Sequence, residues 1–130
     1  MVWKFSGCCV KVNLINLFRN EKNIELFAAG ETVFSKGDTG DRLYIVLEGK
    51  ISLNVGNTAV ETIEPGGMFG EMALIDTRQR SASARAIKDS KLVAIDEPRF
   101  NYLVQQTPNF ALVVMRTLVA RLRNMDETLR

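Results

Sequence analysis

Two charged side chains in segment 69–83 have the types and the spacing to bind a small anionic ligand. The planar guanidinium of Arg80 can donate two parallel hydrogen bonds to phosphate oxygens. Glu71 precedes it in the same segment, and its carboxylate would repel a phosphate, so it must face another part of the ligand. A carboxylate only accepts hydrogen bonds, which suits a sugar hydroxyl. The pair therefore indicates a sugar phosphate, and a structural ion pair between Glu71 and Arg80 is the alternative that the spacing leaves open.

The backbone on either side of Glu71 offers further donors for an anion. A Pro65-Gly66-Gly67 turn allows close backbone approach just before this segment. The apolar residues that follow predict one helical turn from Glu71 to Ile75. The first N–H groups of a helical turn have no partner inside the helix and point outward, where they can bind an anion. This arrangement also fits a phosphate.

The composition excludes several classes of protein. The 130 residues contain no histidine and only two cysteines, the adjacent Cys8 and Cys9, which disfavours His-ligated metal sites, Ser-His hydrolases and four-cysteine clusters. A net charge of +2 is too small to indicate nucleic acid or a membrane as the main partner. No apolar run approaches the ~20 residues that a bilayer crossing needs. We therefore expect a cytoplasmic, non-enzymatic protein without a metal or a cofactor.

The residues that must position this segment have the pattern of an all-β domain. From residue 24 to residue 95, short apolar runs alternate with glycine, aspartate and proline, which is typical of short strands joined by tight turns. Ile51, Leu53 and Val55 repeat with a period of two, so one face of that strand is buried. About eight such strands predict a β jelly roll.

Helices are expected on both sides of the jelly roll. The sequence predicts a short helix from Glu97 to Gln106 and a longer one that begins at Pro108, where the missing N–H would be unpaired anyway. A short helix is also expected within residues 10–20. The chain is thus interpreted as one domain in three parts, a lead-in at 1–22, the jelly roll at 23–96 and the C-terminal helices at 97–130.

Apolar residues in the last helix recur at spacings of four and three, which is the pattern of a heptad seam. The stripe is short, so it either packs on the jelly roll or pairs two chains through its C-terminal part. Its members are Ala111, Met115, Leu118, Leu122, Met125 and Leu129, of which the last four would form the contact in a homodimer.

The chain from Ile24 onward resembles the cyclic-nucleotide-binding domains, the family of the catabolite activator protein and of the regulatory subunit of protein kinase A. The sequence FGEMALI at 69–75, followed at a fixed distance by RSAS at 80–83, is similar to the phosphate-binding cassette of that family. Turn and core residues upstream match the family pattern in order, namely residues 27–31, residues 37–41, Tyr44, Val46 and Gly49. The resemblance implies a jelly roll that binds cAMP or cGMP.

The resemblance also implies a role for individual residues. Glu71 would accept a hydrogen bond from the ribose 2′-hydroxyl, beside the backbone of Gly70. Arg80 would pair with the cyclic phosphate, to which Ser81 would donate a hydrogen bond. The other implied site residues are Phe69 in the cassette, Met72 and Ala73 as amide donors, Ala82, Leu53 and Val60 as lining of the base and sugar pocket, and Arg121 in the lid helix.

Three features depart from the family pattern. Thr77-Arg78-Gln79 stands where Gly-x-Pro is common, so Arg78 is a second candidate for the phosphate. Met125-Asp126 occupies the lid region, which leaves base recognition open. The sequence also ends at Arg130 without the helix-turn-helix of a transcription factor, so no nucleic acid is expected to bind this chain alone.

We interpret the chain as a sensor module that binds a cyclic nucleotide and signals through its C-terminal helix. cAMP is favoured over cGMP, because the serine at position 81 also occurs in cAMP-binding bacterial activators. Two alternatives stay open at this point. One is the nucleotide-binding half of a transcription regulator that lacks its DNA-binding domain, and the other is a degenerate domain used for protein contacts.

Overall fold

The structure, a computed structural model, describes residues 20–75 and 79–129, together with Ile15, Leu17 and Phe18. In this part, the chain divides into a compact unit that ends at Glu97 and a second unit that begins at Pro98. Most of the predicted lead-in at 1–22, including most of its expected helix, lies outside the described residues.

The described part of the first unit contains eight strands, the number that the turn pattern predicts. Each strand is short because glycine, aspartate or proline interrupts the alternating pattern within a few residues. The strands are β1 (Ile24–Phe27), β2 (Thr32–Phe34), β3 (Arg42–Glu48), β4 (Ile51–Val55), β5 (Thr58–Ile63), β6 (Met68–Phe69), β7 (Ser83–Ala86) and β8 (Ser90–Asp96).

The eight strands form two antiparallel sheets of four strands each. One sheet has the strand order β1-β8-β3-β6, and the other has the order β2-β7-β4-β5. Most neighbours in these sheets are distant in the sequence, as β1 and β8 are. This is the arrangement of the predicted β jelly roll.

Alternating side chains of the two sheets form an apolar core. In β4 and β5, Ile51 faces Ile63, and in β7 Ala84 lies beside Leu53 of β4. Leu53 itself is partly buried and packs against the core. The buried cluster consists of Tyr44, Val46, Ile51, Ile63, Phe69, Ala84, Ala86 and Leu92.

The ladder between β4 and β5 contains one bulge. Leu53 pairs with Glu61, whereas Asn54 pairs with Ala59, so Val60 is the extra residue of β5. Val60 is 56% exposed. The register therefore places Glu61, and not Val60, opposite Leu53.

Three helices accompany the strands in the described residues, α1 (Met72–Ile75), α2 (Glu97–Gln106) and α3 (Pro108–Leu129). The predicted bounds of α2 and the predicted start of α3 at Pro108 are confirmed. In the second unit, the rings of Phe100 and Phe110 meet edge to face with centroids 5.7 Å apart. Across the described residues, no helix has the length and apolar character that crossing a membrane requires.

Candidate functional site

The segment between β6 and β7 begins with a sharp reversal of the backbone. Gly70 adopts a φ of +82°, a conformation that L side chains rarely adopt. Glu71 follows in a turn, and its carbonyl accepts a hydrogen bond of 3.1 Å from the N–H of Leu74. The predicted helical turn from Glu71 to Ile75 is thus confirmed as the single turn α1. Its first N–H groups belong to Met72 and Ala73, the residues predicted to donate to an anion.

Arg80 is the buried cation of this segment, with 6% of its surface exposed. Its Nη1 donates to the carbonyl oxygen of Gly70 at 2.9 Å, and its Nη2 donates to the carbonyl oxygen of Arg42 at 2.8 Å. The Cζ atom lies 4.1 Å from the centroid of the Phe34 ring, within the range of a cation–π interaction. These contacts fix the plane and the direction of the guanidinium.

The ring beneath Arg80 belongs to an aromatic cluster, which consists of Phe34, Tyr44 and Phe69. The Phe34 ring lies 6.1 Å from the Tyr44 ring and 5.9 Å from the Phe69 ring, and Tyr44 stacks on Phe69 at 5.3 Å. Burial raises the pKa of Tyr44, so its hydroxyl stays protonated and neutral at physiological pH. The cluster therefore contributes an apolar base to the site and no negative charge.

Two glycines leave room for the guanidinium. A Cβ on Gly70 would lie 2.7 Å from Nη1 of Arg80, and a Cβ on Gly40 would collide with its Nε and Cζ. Gly40 is buried and has no positive φ, so close approach rather than backbone conformation requires glycine there. The sequence predicts a turn at Gly40, and its local pattern gives no signal that connects this residue with the site.

The loop 35–41 also binds the backbone on both sides of the Arg80 side chain. The N–H of Gly37 donates to the carbonyl of Arg80, and the N–H of Arg80 donates to the carbonyl of Asp38, each at 2.8 Å. A bridge between Thr39 and Gln79 extends this pairing. The loop between β2 and β3 therefore holds the main chain of Arg80, while its side chain is held by the carbonyls of Gly70 and Arg42 and by the Phe34 ring.

The contacts of Arg80 leave its positive charge available to an anion. Main-chain carbonyls carry no net charge, and they use two of the five N–H groups of a guanidinium. Burial lowers the pKa of Arg80, and the carboxylates of Asp41 and Asp38 oppose that shift. Since arginine stays protonated at physiological pH even so, a cation lies in a medium of low dielectric constant, where it attracts an anion more strongly than in water.

Glu71 is the second buried charged residue, with 2% of its surface exposed. The alternative of a structural ion pair predicts a direct contact between Glu71 and Arg80. Among the residues that the structure describes, the ion pairs do not include this one, and the guanidinium instead bonds to carbonyls. The two side chains can therefore address different parts of one ligand.

The structure places the other predicted site residues in three groups. Phe69 is fully buried in the aromatic cluster, and Leu53 lies on the inner face of β4. Ser81 is exposed and Ala82 is partly buried, directly before β7. Val60 lies on the bulge of β5, and Arg121 lies in α3 of the second unit. The predicted contact of Arg78 falls outside the described residues.

The residue types of the arrangement suit the binding of an anion. In the described ranges, no group of three or more histidine, cysteine, aspartate or glutamate side chains could hold a metal ion. The site combines a buried cation, first-turn amides and a buried acceptor, which are groups that hydrogen-bond to polar ligands.

Comparisons with known proteins agree with a ligand-binding jelly roll. The family profile described as the cyclic nucleotide-binding domain matches residues 24–107. The cyclic AMP receptor protein of Thermus thermophilus is 36% identical over 106 residues, which cover 78% of this chain and 49% of the relative. The chain therefore belongs to the cyclic nucleotide-binding domain family.

Solved structures show the same fold. The crystal structure of the catabolite activator protein of Thermus thermophilus has a TM-score of 0.74 at 33% identity, over 92% of this chain and 57% of that one. A structure from a cyclic-GMP-dependent signalling pathway of bacterial phytopathogenesis has a TM-score of 0.71 at 29% identity. The match covers 88% of this chain and 93% of that one. The predicted jelly roll is confirmed, and the chain spans about half the length of the curated relatives it matches.

The clearance at Gly40 predicts a specific loss of stability. Gly40→Ala should lower the free energy of unfolding by about 1–3 kcal/mol, the usual cost of forcing a methyl group into a packed site. Urea denaturation measures the change. Gly56→Asn is the control, because a Cβ on that residue meets no atom within 4 Å and its φ of +62° lies in the left-handed region that asparagine tolerates.

A double-mutant cycle identifies the cause of that loss. If the new methyl group displaces the guanidinium, Gly40→Ala costs much less in an Arg80→Ala background, because the colliding atoms are gone. An equal cost in both backgrounds contradicts the assignment.

Proposed function

We propose that this domain is a sensor that binds a purine 3′,5′-cyclic nucleotide, with cAMP as its first ligand, and catalyses no reaction. The observation that carries this proposal is the buried guanidinium of Arg80, which is held by uncharged carbonyls and keeps N–H groups for an incoming phosphate. Family membership supports the ligand class.

The ligand would extend from Arg80 toward Glu71. The cyclic phosphate pairs with Arg80 and accepts hydrogen bonds from Ser81 and from the first amides of α1, those of Met72 and Ala73. The ribose 2′-hydroxyl donates to the Glu71 carboxylate beside the backbone of Gly70. The carboxylate is thereby separated from the phosphate by the sugar, which removes the repulsion that a direct contact would cause.

The names of the relatives support cAMP as the first ligand to test. The Thermus protein is a cyclic AMP receptor, and the Mycobacterium tuberculosis relative is a cAMP-activated regulator. We extend that ligand to this chain as a proposal, together with a regulatory role in the cytoplasm. The output would be a shift of α3, which requires that the nucleotide binds more tightly to one position of the helix than to another.

The first prediction is a ligand-dependent thermal shift that requires Arg80. At about 100 times its dissociation constant, cAMP adds roughly 2.7 kcal/mol of stability, which raises the melting temperature by several degrees. Arg80→Ala removes the cation, and its affinity should fall by well over tenfold, since breaking a buried charge pair costs about 2–5 kcal/mol.

Arg85→Ala is the matched control for this experiment, because Arg85 is exposed on β7 and its Nε donates to the carbonyl of Gly30. This variant should retain the full shift. A parent protein that shows no shift with millimolar cAMP or cGMP contradicts the proposed function.

A second prediction separates the sugar from the phosphate. Glu71→Gln keeps the size of the side chain and one acceptor oxygen but loses the charged hydrogen bond to ribose, a contribution of roughly 1.5–3 kcal/mol. Calorimetric titration with cAMP and with its 2′-deoxy analogue should show that this variant discriminates less between them. Arg80→Ala should discriminate between the two ligands as well as the parent does. If both variants lose this discrimination, Glu71 and Arg80 do not have separate roles.

A second copy of the chain is the proposed protein partner. Four apolar side chains of α3 are exposed at spacings of three, four and three, namely Leu112, Met115, Val119 and Leu122. Leu118, a member of the predicted seam, is partly buried, and the side chains of Met125 and Leu129 lie outside the described ones. The exposed stripe therefore shares Met115 and Leu122 with the predicted seam.

This stripe predicts that α3 pairs two chains. Leu122→Glu, at a side chain that is 62% exposed, should convert the dimer to a monomer, because it puts two like charges into an apolar seam. Tyr102→Glu, equally exposed on α2, is the control and should leave the dimer intact. Sedimentation at tens of micromolar measures the oligomeric state of both variants. If the parent protein is a monomer with and without nucleotide, the stripe of α3 packs within the chain instead.

A further inference from the structure

Glu61 is a carboxylate on the inner face of a sheet whose neighbouring inner residues are apolar. In the ladder between β4 and β5, Ile63 pairs with Ile51 and Glu61 pairs with Leu53. Both isoleucines are buried in the core, while Thr62 between the two β5 residues is exposed. Because side chains alternate along a strand, Glu61 is directed to the same side as the core.

Burial decreases along this face toward the start of β5. Ile63 is 4% exposed, Glu61 is partly buried, and beyond the bulge Thr58, which pairs with Val55, is exposed. An ionised carboxylate is strongly disfavoured in a dry core but is tolerated where water reaches it. Glu61 therefore lies at the rim of the interior, between the buried and the exposed parts of this face.

Leu53 connects this rim with the ligand-binding segment. On the side away from Glu61, Leu53 pairs with Ala84 of β7, and β7 follows directly after Arg80, Ser81 and Ala82. Ala84 and Phe69, which flank that segment, belong to one core cluster. Since neighbouring strands lie about 4.8 Å apart, the row Ala84, Leu53 and Glu61 spans about 10 Å across three strands.

We propose that Glu61 contacts the base of the bound nucleotide and favours guanine. This inference rests on the proposed function, which places the phosphate at Arg80 and the ribose at Glu71. The base then extends along the row, over the small side chain of Ala84 and the apolar side chain of Leu53, toward the carboxylate. The row thus presents an apolar floor with one charged acceptor at its end.

The donors of the two purines decide the preference. A carboxylate accepts hydrogen bonds and donates none. Guanine presents its N1–H and its 2-amino group side by side, so both carboxylate oxygens are satisfied. Adenine presents one amino donor beside a ring nitrogen that is itself an acceptor and repels the carboxylate. Glu61 therefore raises the affinity for cGMP and reduces the difference between the affinities for cAMP and cGMP.

The test is Glu61→Gln, followed by calorimetric titration with cAMP and cGMP. The dissociation constant for cGMP should rise by about tenfold or more, because a charged pair of hydrogen bonds is lost. The constant for cAMP should stay unchanged or fall, because a glutamine amide offers the donor and the acceptor that match adenine. A substitution that only disturbed the structure would weaken the binding of both ligands, so it would not change the two dissociation constants differently.

Glu64→Gln is the matched control. Glu64 follows β5, is exposed and pairs with Lys50 at 3.7 Å, so its substitution removes the same charge at the neighbouring turn. It should leave the ratio of the two dissociation constants unchanged. A Glu61→Gln variant with the parental ratio overturns the inference and leaves the proposed function intact.

A comparison of ligands tests the same inference without a variant. Cyclic inosine monophosphate keeps the N1–H of guanine but lacks the 2-amino group, so the parent protein should bind it several-fold more weakly than cGMP. Equal affinity for these two ligands overturns the inference even if Glu61→Gln fails to fold. If the parent binds none of the cyclic nucleotides, the proposed function itself fails.

Discussion

The structure of the site depends on one buried cation that the protein holds without neutralising it. The guanidinium of Arg80 rests on the Phe34 ring and donates to the carbonyls of Gly70 and Arg42. Such contacts orient a charge and partly compensate for its loss of hydration, but they add no negative charge. A carboxylate in the same place would stabilise the free protein and compete with every anionic ligand. Neutral acceptors avoid that competition.

Several elements of the first unit position the guanidinium of Arg80. The loop 35–41 pairs with the backbone at Arg80, and Gly40 leaves space for its side chain. The turn at Gly70 brings a carbonyl to Nη1 and at the same time starts α1. Because these contacts involve the same few backbone groups, a change in one of them alters the direction of the guanidinium and the position of the first-turn amides together.

The sequence was sufficient for the approximate number of strands and for the helices that follow them, because turn residues and periodicity are local signals. The start of α3 at Pro108 and the helical turn after Glu71 follow from such signals. Arg80 and Glu71 were identifiable as candidates for the binding of one ligand because arginine and glutamate differ in what they can donate and accept. Residue chemistry thus drew attention to the two charged side chains that the structure shows to be buried.

The features of the fold and of the site that the sequence did not predict depend on contacts between residues that are distant in the sequence. Nothing in the local pattern shows that Gly40 must accommodate a side chain that lies forty positions later. The bulge at Val60 changes the register of β5 by one residue, which moves Glu61 to the position opposite Leu53. A single inserted residue reverses which side chains face the interior, and no periodicity within a six-residue strand reveals it.

In the proposed binding mode, the anion end of the site at Arg80 and the base end at Glu61 differ in how freely their residues can be substituted. At the anion end, Gly40 and Gly70 leave no volume for a larger side chain, so substitutions there damage the fold and the ligand site together. At the other end, β5 is the edge strand of its sheet, and Glu61 is only partly buried. Mutations at that edge can therefore alter ligand choice while the anion end stays constant. Engineering of new sensors from this scaffold has its widest freedom along β5.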